Sequence, residues 1–311
     1  MKTVQMPGMP RPVAQLALGT GELRSQRHAD EMLDAYAGAG GDLVDTAWVY
    51  RAGECERLLG DWLRRRANRN AMTVIGKGAH TPLCEPRFIA GQLTESLERL
   101  HTGHVDVYML HRDNRDVPVA EFVDAMMGEV QAGRIREYGF SNWTLQRLRK
   151  AFAYARGRGI KPPTALSYNY SLADMVAPVW EGVVAANGPD WRALLTDGEL
   201  ALYSWSSQAR GFFTDRAEPG AVGDLELVRC WFSRNNLERR RRAYELAEKR
   251  GVTANQVALA WTLHQPFPLA ALIGPLTPAE LADSIGATQI ALTPDELAWL
   301  RADDPGRTDP E

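Results

Sequence analysis

Hydrophobic positions along this chain fall into two alternating kinds of run. The short stretches, most of them continuously apolar, are QLALG from Gln15, DLVDTA from Asp42, MTVIGK from Met72, VDVYMLH from Val105, IREYGF from Ile135, TALSYN from Thr164, LALYSW from Leu200 and LAALIG from Leu269. Strands covered on both faces read this way, as in parallel sheets. Between them lie longer stretches with apolar residues at helical spacing, such as HADEMLDAYAGAG, ECERLLGDWLRRRA, FIAGQLTESLERLH, VAEFVDAMMGEVQAG and LQRLRKAFAYARGRG. Several stop at glycine, the usual helix terminator. Later helices carry capping-box pairs: Thr253 with Gln256, Thr277 with Glu280, and Thr293 with Glu296.

Eight strands, each followed by a helix, predict a (β/α)8 TIM barrel. A doubly wound open sheet is the alternative, weakened because no G-x-G-x-x-G follows the first strand: QLALGTGEL has Gly19 and Gly21, but position 24 is Arg. No linker, low-complexity segment or internal repeat interrupts the pattern, so residues 1–311 read as a single domain. The segment from about Ser206 to Asn236, after strand seven, is too long for a plain connection and reads as a functional loop with some helix.

Composition narrows the partners. The 311 residues are 45% hydrophobic and 24% charged, enough apolar surface for a sizeable core. The formal net charge of -3 lacks the basic excess of a general nucleic-acid binder, so no nucleic acid is expected. The run Arg239–Arg242, in LERRRRAYELAEKR, reads as the solvated face of a helix. Cys55, Cys84 and Cys230 are odd in number and far apart, so neither a disulfide framework nor a metal site is expected and a reducing compartment fits. The N-terminal MKTVQMPGMPRP has no signal-like apolar stretch, and no segment approaches the roughly 18 apolar residues that span a bilayer. The expectation is a cytoplasmic protein without a membrane partner; oligomeric state is left open.

In a barrel of this kind the active site gathers where strands end and the following loops begin. Strand two ends in Asp45, with Tyr50 just beyond; strand three ends in Lys77, strand four in His111, and strand five in Ser141 and Asn142. Each has a plainer reading: Asp45 as a helix cap, Tyr50 as a loop aromatic, Lys77 as a surface lysine, His111 as a satisfied core histidine. Together they make chemical sense. Hydride reduction of a carbonyl leaves an alkoxide that must be protonated, and a free tyrosine, with a pKa of about 10, is a sluggish donor. An ammonium such as Lys77 would lower that pKa; Asp45 would hold Lys77 in place, and His111 would orient the substrate oxygen or join the proton relay.

In order along the chain, LALGTG, D-T-A-x-x-Y from Asp45 to Tyr50, VIGKG with Lys77, VDVYMLHRDN with His111, GFSNW with Ser141 and Asn142, YSWSSQARGFF, VALAW and the closing LTPDELAWL strongly resemble the aldo-keto reductase family. The resemblance covers nearly the whole chain. It implies a barrel that binds NADP(H), less often NAD(H), in extended form, with Tyr50 as general acid/base supported by Lys77, Asp45 and His111. It implies that Ser141 and Asn142 hold the nicotinamide carboxamide and that Trp205 stacks on the ring. Thr20, Ser206, Gln208, Arg210 and Gly211 would line the cofactor further out, and Gly274 to Ser284, with Thr277, Glu280, Asp283 and Ser284, would cover the adenosine end. Three features depart from the family. Ser167 replaces a carboxamide-binding glutamine, and Asp283 and Ser284 replace a glutamate and an asparagine. The loop IGPLTPAELADS has no Lys or Arg for the 2'-phosphate of NADP, and Glu280 stands where the family has arginine or glutamine. A carboxylate repels a phosphate dianion but accepts from a ribose hydroxyl, which favours NAD(H); family frequency favours NADP(H).

Trp48, Trp143 and Trp231 are candidate walls of a substrate pocket. The substrate would be a small carbonyl compound. Two further readings compete with a reductase: a cofactor-binding regulatory subunit resembling potassium-channel β subunits, and a lyase or aldolase using Lys77 as a Schiff base, which would need an unpaired, desolvated lysine.

Overall fold

Parallel pairing of the eight apolar runs closes on itself. The computed structural model describes residues 1–197, 199–218 and 223–303. A short antiparallel pair comes first, β1 (Thr3–Val4) and β2 (Val13–Ala14). The barrel follows as β3 (Leu16–Gly19), β4 (Leu43–Asp45), β5 (Thr73–Gly78), β6 (Val105–Leu110), β7 (Ile135–Ser141), β8 (Ala165–Asn169), β9 (Ala201–Trp205) and β10 (Leu269–Ile273). Each pairs in parallel with the next, and β10 returns to β3. Outside lie α1 (Gln26–Gly38), α2 (Glu54–Arg66), α3 (Pro86–Arg99), α4 (Val119–Gln131), α5 (Leu145–Arg158), α6 (Pro189–Thr196), α7 (Leu225–Trp231), α8 (Arg234–Arg250), α9 (Ala254–Leu263), α10 (Pro278–Gly286) and α11 (Pro294–Arg301). The expected (β/α)8 barrel is the observed one. Within the expected 1–311 domain, residues 304–311 lie outside the described part. No described helix is long and apolar enough to cross a membrane.

Two apolar layers hold it. Outward residues of the strands meet the helices in one large cluster, while Leu43, Ile75, Val107, Met109 and Tyr203 fill the barrel interior with Met6, Met9 and Val13 from the N-terminal hairpin. That hairpin was not legible: its strands are two residues long and its turn is rich in Pro and Gly. The turn closes over the barrel at Gly8, where φ is +75° and a Cβ would sit 2.1 Å from the Glu137 carboxylate. Only glycine fits so close an approach.

The Arg239–Arg242 expectation needs correction. Arg239 and Arg242 are buried, because the C-terminal segment lies across α8. Arg239 pairs with Asp174 and Asp303, and Arg242 pairs with Glu238 and donates to the Trp299 and Ala302 carbonyls. The long segment after β9 does contain helix: single turns at Ala209–Gly211 and Asp215–Ala217, then α7 and the start of α8. Two of the three capping boxes are reciprocal, at Thr253 and Thr293. At Thr277 the Glu280 side chain instead accepts from the Leu276 amide at 2.6 Å.

Candidate active site

Period-two alternation decides which side chains reach the barrel mouth. Leu43, Ile75, Met109, Ala165 and Tyr203 point inward. Two residues on come Asp45, Lys77, His111, Ser167 and Trp205, which share that direction at the C-terminal end. The backbone fixes their levels: Thr46 donates to Ile75 O at 2.9 Å, Trp48 to Lys77 O at 2.8 Å, and His111 to Gly78 O at 2.6 Å. Tyr50 starts a tight turn whose next residues, Arg51 and Ala52, have φ of 48° and 53°. Strained backbone of this kind collects at functional sites.

The four expected catalytic residues meet. Lys77 and Asp45, both almost wholly buried, form an ion pair, and Lys77 Nζ donates to Tyr50 Oη at 3.4 Å. Burial alone would lower the Lys77 pKa, but Asp45 and Tyr50 outweigh it and hold the ammonium above its ordinary value. Burial raises the Asp45 carboxyl, opposed by the ammonium. Burial also raises the Tyr50 hydroxyl above the ordinary tyrosine value, against the opposing pull of Lys77 and Arg112. The sequence reading expected Lys77 to lower it. The net direction is the reverse, because the hydroxyl is desolvated, and the phenol keeps its proton at neutral pH. Burial pushes His111 well below its ordinary value, with Lys77 and Arg112 adding to the effect, so the ring is neutral. It meets Tyr50 edge-on at 5.7 Å between centroids and His80 at 5.0 Å.

These residues line one cleft of about 1360 Å³, together with Ser141, Asn142, Ser167, Trp205, Ser206, Gln208, Arg210, Gly211, Gly274, Glu280, Asp283 and Ser284. Ser141 Oγ donates to Ser167 O at 2.8 Å and accepts from Asn142 Nδ2 at 2.9 Å. Gln208 Nε2 donates to Ser284 Oγ at 3.1 Å. Asp283 accepts from Thr253 Oγ1 and Asn255 Nδ2, each at 2.8 Å. A nicotinamide dinucleotide needs polar partners along such a cleft, and the protein leaves some unused: His111 Nδ1, Ser167 Oγ, Trp205 Nε1 and Asn255 Oδ1 are buried without a protein partner. Unpaired buried polar atoms are costly, so a polar ligand along this line fits the residues present.

Five expected residues stand elsewhere. Trp143 does not line the cleft: Asn142, at φ 62°, breaks the alternation of β7 and turns the indole onto Phe140, stacked at 4.1 Å. Trp231 lies on the buried face of α7 and is 0% exposed. Trp48 turns away towards α3, where its indole N–H donates to Glu95 at 2.9 Å and Arg99 covers the ring. Thr20 is fully buried between the cleft-lining Gly19 and Gly21, and its amide donates to Asp45 O at 2.9 Å. Thr277 is an exposed N-cap outside the lining.

Other residues take the walls. Trp180, on the loop after β8, reaches over the cleft with its ring 5.9 Å from Trp205 and under the Arg210 guanidinium. Nothing periodic in SLADMVAPVWEGVV signals this. His80, Arg112, Asn255 and Arg216 also line the cleft and went unseen; for His80 and Arg112, adjacency to the ends of β5 and β6 was the available signal.

The model of the Aldo/keto reductase family matches residues 15–303. An uncharacterized oxidoreductase, YrpG of Bacillus subtilis (strain 168), is 28% identical over 313 residues, covering 94% of this chain and 93% of that protein. Aldo-keto reductase str7 of Strobilurus tenacellus is 30% identical over 296 residues, 90% of this chain and 82% of that one. Among solved structures, the thermostable aldo-keto reductase Tm1743, crystallised with the inhibitor epalrestat, has a TM-score of 0.74 at 22% identity, covering 97% and 99% of the two chains, a likeness of fold.

Proposed function

This chain belongs to the aldo-keto reductase family, and we propose that it reduces an aldehyde or ketone with Tyr50 as the proton donor. As a member it is an NAD(P)H-dependent oxidoreductase acting on small carbonyl compounds. The observation that carries the reading is the contact of Tyr50 Oη with the Lys77–Asp45 pair at the floor of the cleft. A nicotinamide cofactor held along this cleft would supply the hydride for the carbonyl carbon. Tyr50 Oη gives its proton to the carbonyl oxygen, and the Lys77 ammonium 3.4 Å away stabilises the phenolate left behind. Asp45 keeps Lys77 charged and positioned. Neutral His111 offers a ring N–H to the same oxygen and orients it. Ser141, Asn142 and Ser167 would hold the carboxamide, and Trp205 would stack on its ring.

The charged, paired Lys77 argues against a Schiff-base lyase, which needs a free neutral amine. In Tyr50→Phe, kcat for aromatic aldehydes should fall by on the order of 10²–10⁴-fold while cofactor still binds; an unchanged rate would remove Tyr50 from the chemistry.

Within this reading the cofactor is NADH rather than NADPH. Glu280 lines the cleft, held by the Leu276 amide, and Arg210 and Arg216, the cations from the loop after β9, are already paired with Glu226 and Asp224. Quenching of tryptophan fluorescence should give a smaller Kd for NADH than for NADPH, and Glu280→Gln should narrow the difference. Tighter NADPH binding in the unmodified protein would refute the preference.

A further inference from the structure

Among the described residues, four Lys or Arg side chains line the cleft, and three are neutralised by the protein itself: Lys77 by Asp45, Arg210 by Glu226 and Arg216 by Asp224. The fourth is Arg112. Among the described residues no carboxylate pairs with it, and its side chain's hydrogen bond, from Nη1 at 3.0 Å, goes to the carbonyl of the preceding His111. The adjacent carboxylate, Asp113, is taken by Arg147, which donates to it at 2.8 Å and also ties down the Val117 and Asn114 carbonyls.

The position of Arg112 is built. Its amide donates to Ala79 O at 3.2 Å. Its carbonyl accepts from the Trp143 indole at 3.1 Å and from the Cys84 thiol at 3.2 Å. Three anchors on one residue, two of them from fully or nearly fully buried side chains, fix where the guanidinium emerges. It emerges partly buried and close enough to Tyr50, His111 and His80 for its charge to act on all three. Of the other acidic residues in the lining, Glu22, Glu181, Asp215 and Glu280 are exposed, and Asp283 accepts from Thr253 and Asn255. A desolvated guanidinium without an anion is costly to maintain, and its planar fork matches a carboxylate.

We propose that Arg112 binds a carboxylate on the substrate, so that the preferred substrates are oxo acids: aldehydes or ketones with an acid group within reach of the reacting carbonyl. The inference rests on the reductase reading above and names the substrate class for the same site. Tyr50 and His111 take the carbonyl oxygen, and Arg112, directly after His111, takes the acid.

The test compares 3- and 4-carboxybenzaldehyde with their methyl esters, which keep size and carbonyl but lose the charge. For at least one acid, kcat/KM should exceed that of its ester tenfold or more. Arg112→Met should bring the ratio close to one, chiefly through a higher KM for the acid, and Arg112→Lys should keep part of the preference. Acid-to-ester ratios at or below one in the unmodified protein, or a ratio unaltered in Arg112→Met, would overturn the proposal. Equal losses for acid and ester would mean that Arg112 only tunes Tyr50, and would overturn it too. Absence of turnover with every aldehyde counts against the reductase reading alone. Calorimetry without cofactor then decides the subsite: tenfold weaker binding of the acids to Arg112→Met supports it, and equal binding refutes it.

Discussion

A phenol serves as a donor at neutral pH only if it keeps its proton until the carbonyl arrives and leaves a charge the site can hold. In the role proposed for Tyr50 these needs would be met by different neighbours. Burial keeps the hydroxyl protonated, and Lys77 with Arg112 stands ready for the phenolate. The raised folded pKa means the donor form persists through neutral pH and is lost only as pH climbs past the ordinary tyrosine value of about 10. His111, already neutral because its pKa is depressed, adds no step near its ordinary value of about 6.5. The pH profile of kcat/KM for reduction should therefore be flat from about pH 7 to 10 and fall above that; an inflection between pH 6 and 8 would contradict it. That Asp45, Tyr50, Lys77 and His111 would come together was legible because strand ends in a barrel face one mouth. The sign of the Tyr50 shift was not, because it depends on desolvation, which only the packed cleft determines.

At the scale of elements, strands were readable and loops were not. All eight barrel strands fall where continuous apolar runs predict them, since burial on both faces leaves that mark in sequence. The aromatic walls followed no such rule. Trp143 and Trp231 were misplaced because a tryptophan next to a strand or on a short helix can face either way, and a single left-handed residue, Asn142, reverses the outcome. Trp180 lines the cleft instead, from the loop after β8, whose Val184 amide is held by Asn142 Oδ1 at 3.1 Å. Half exposed, this ring closes one side of the cleft against Trp205. An aromatic pair is worth about 0.5–1.5 kcal/mol, so Trp180→Ala should raise KM for an aromatic aldehyde by roughly three- to tenfold with kcat little altered. A change in kcat alone, seen in steady-state kinetics, would place Trp180 outside the binding wall.

Across the whole molecule, the last helices are tied back to the barrel at Asp174, on the loop after β8. Its carboxylate accepts from Arg239 at 2.6 Å, from Arg301 at 2.7 Å and from Asn187 at 2.6 Å, joining the loop after β8 to α8 and α11. Nothing in the sequence around Asp174 reveals this, since its two arginine partners lie more than 60 residues away and the arginine run looks like a solvated face. Burial by itself would raise the Asp174 pKa, but the two guanidinium groups and Asn187 outweigh it and bring the carboxyl down to about 2. The sign follows from that depression. The stabilisation is fully present above the unfolded aspartate value of about 3.9 and is lost as pH falls through the folded value. Asp174→Asn leaves Arg239, only 3% exposed, without its main carboxylate. The melting temperature at pH 7 should drop by roughly 2–4 °C, the scale of about two kcal/mol in a chain of this size. The gap between variant and unmodified protein should hold steady down to about pH 5 and shrink between about pH 4 and 2, as the native carboxylate takes up its proton. A gap that stays constant to pH 2 in calorimetric scans would mean that Asp174 acts through packing rather than charge.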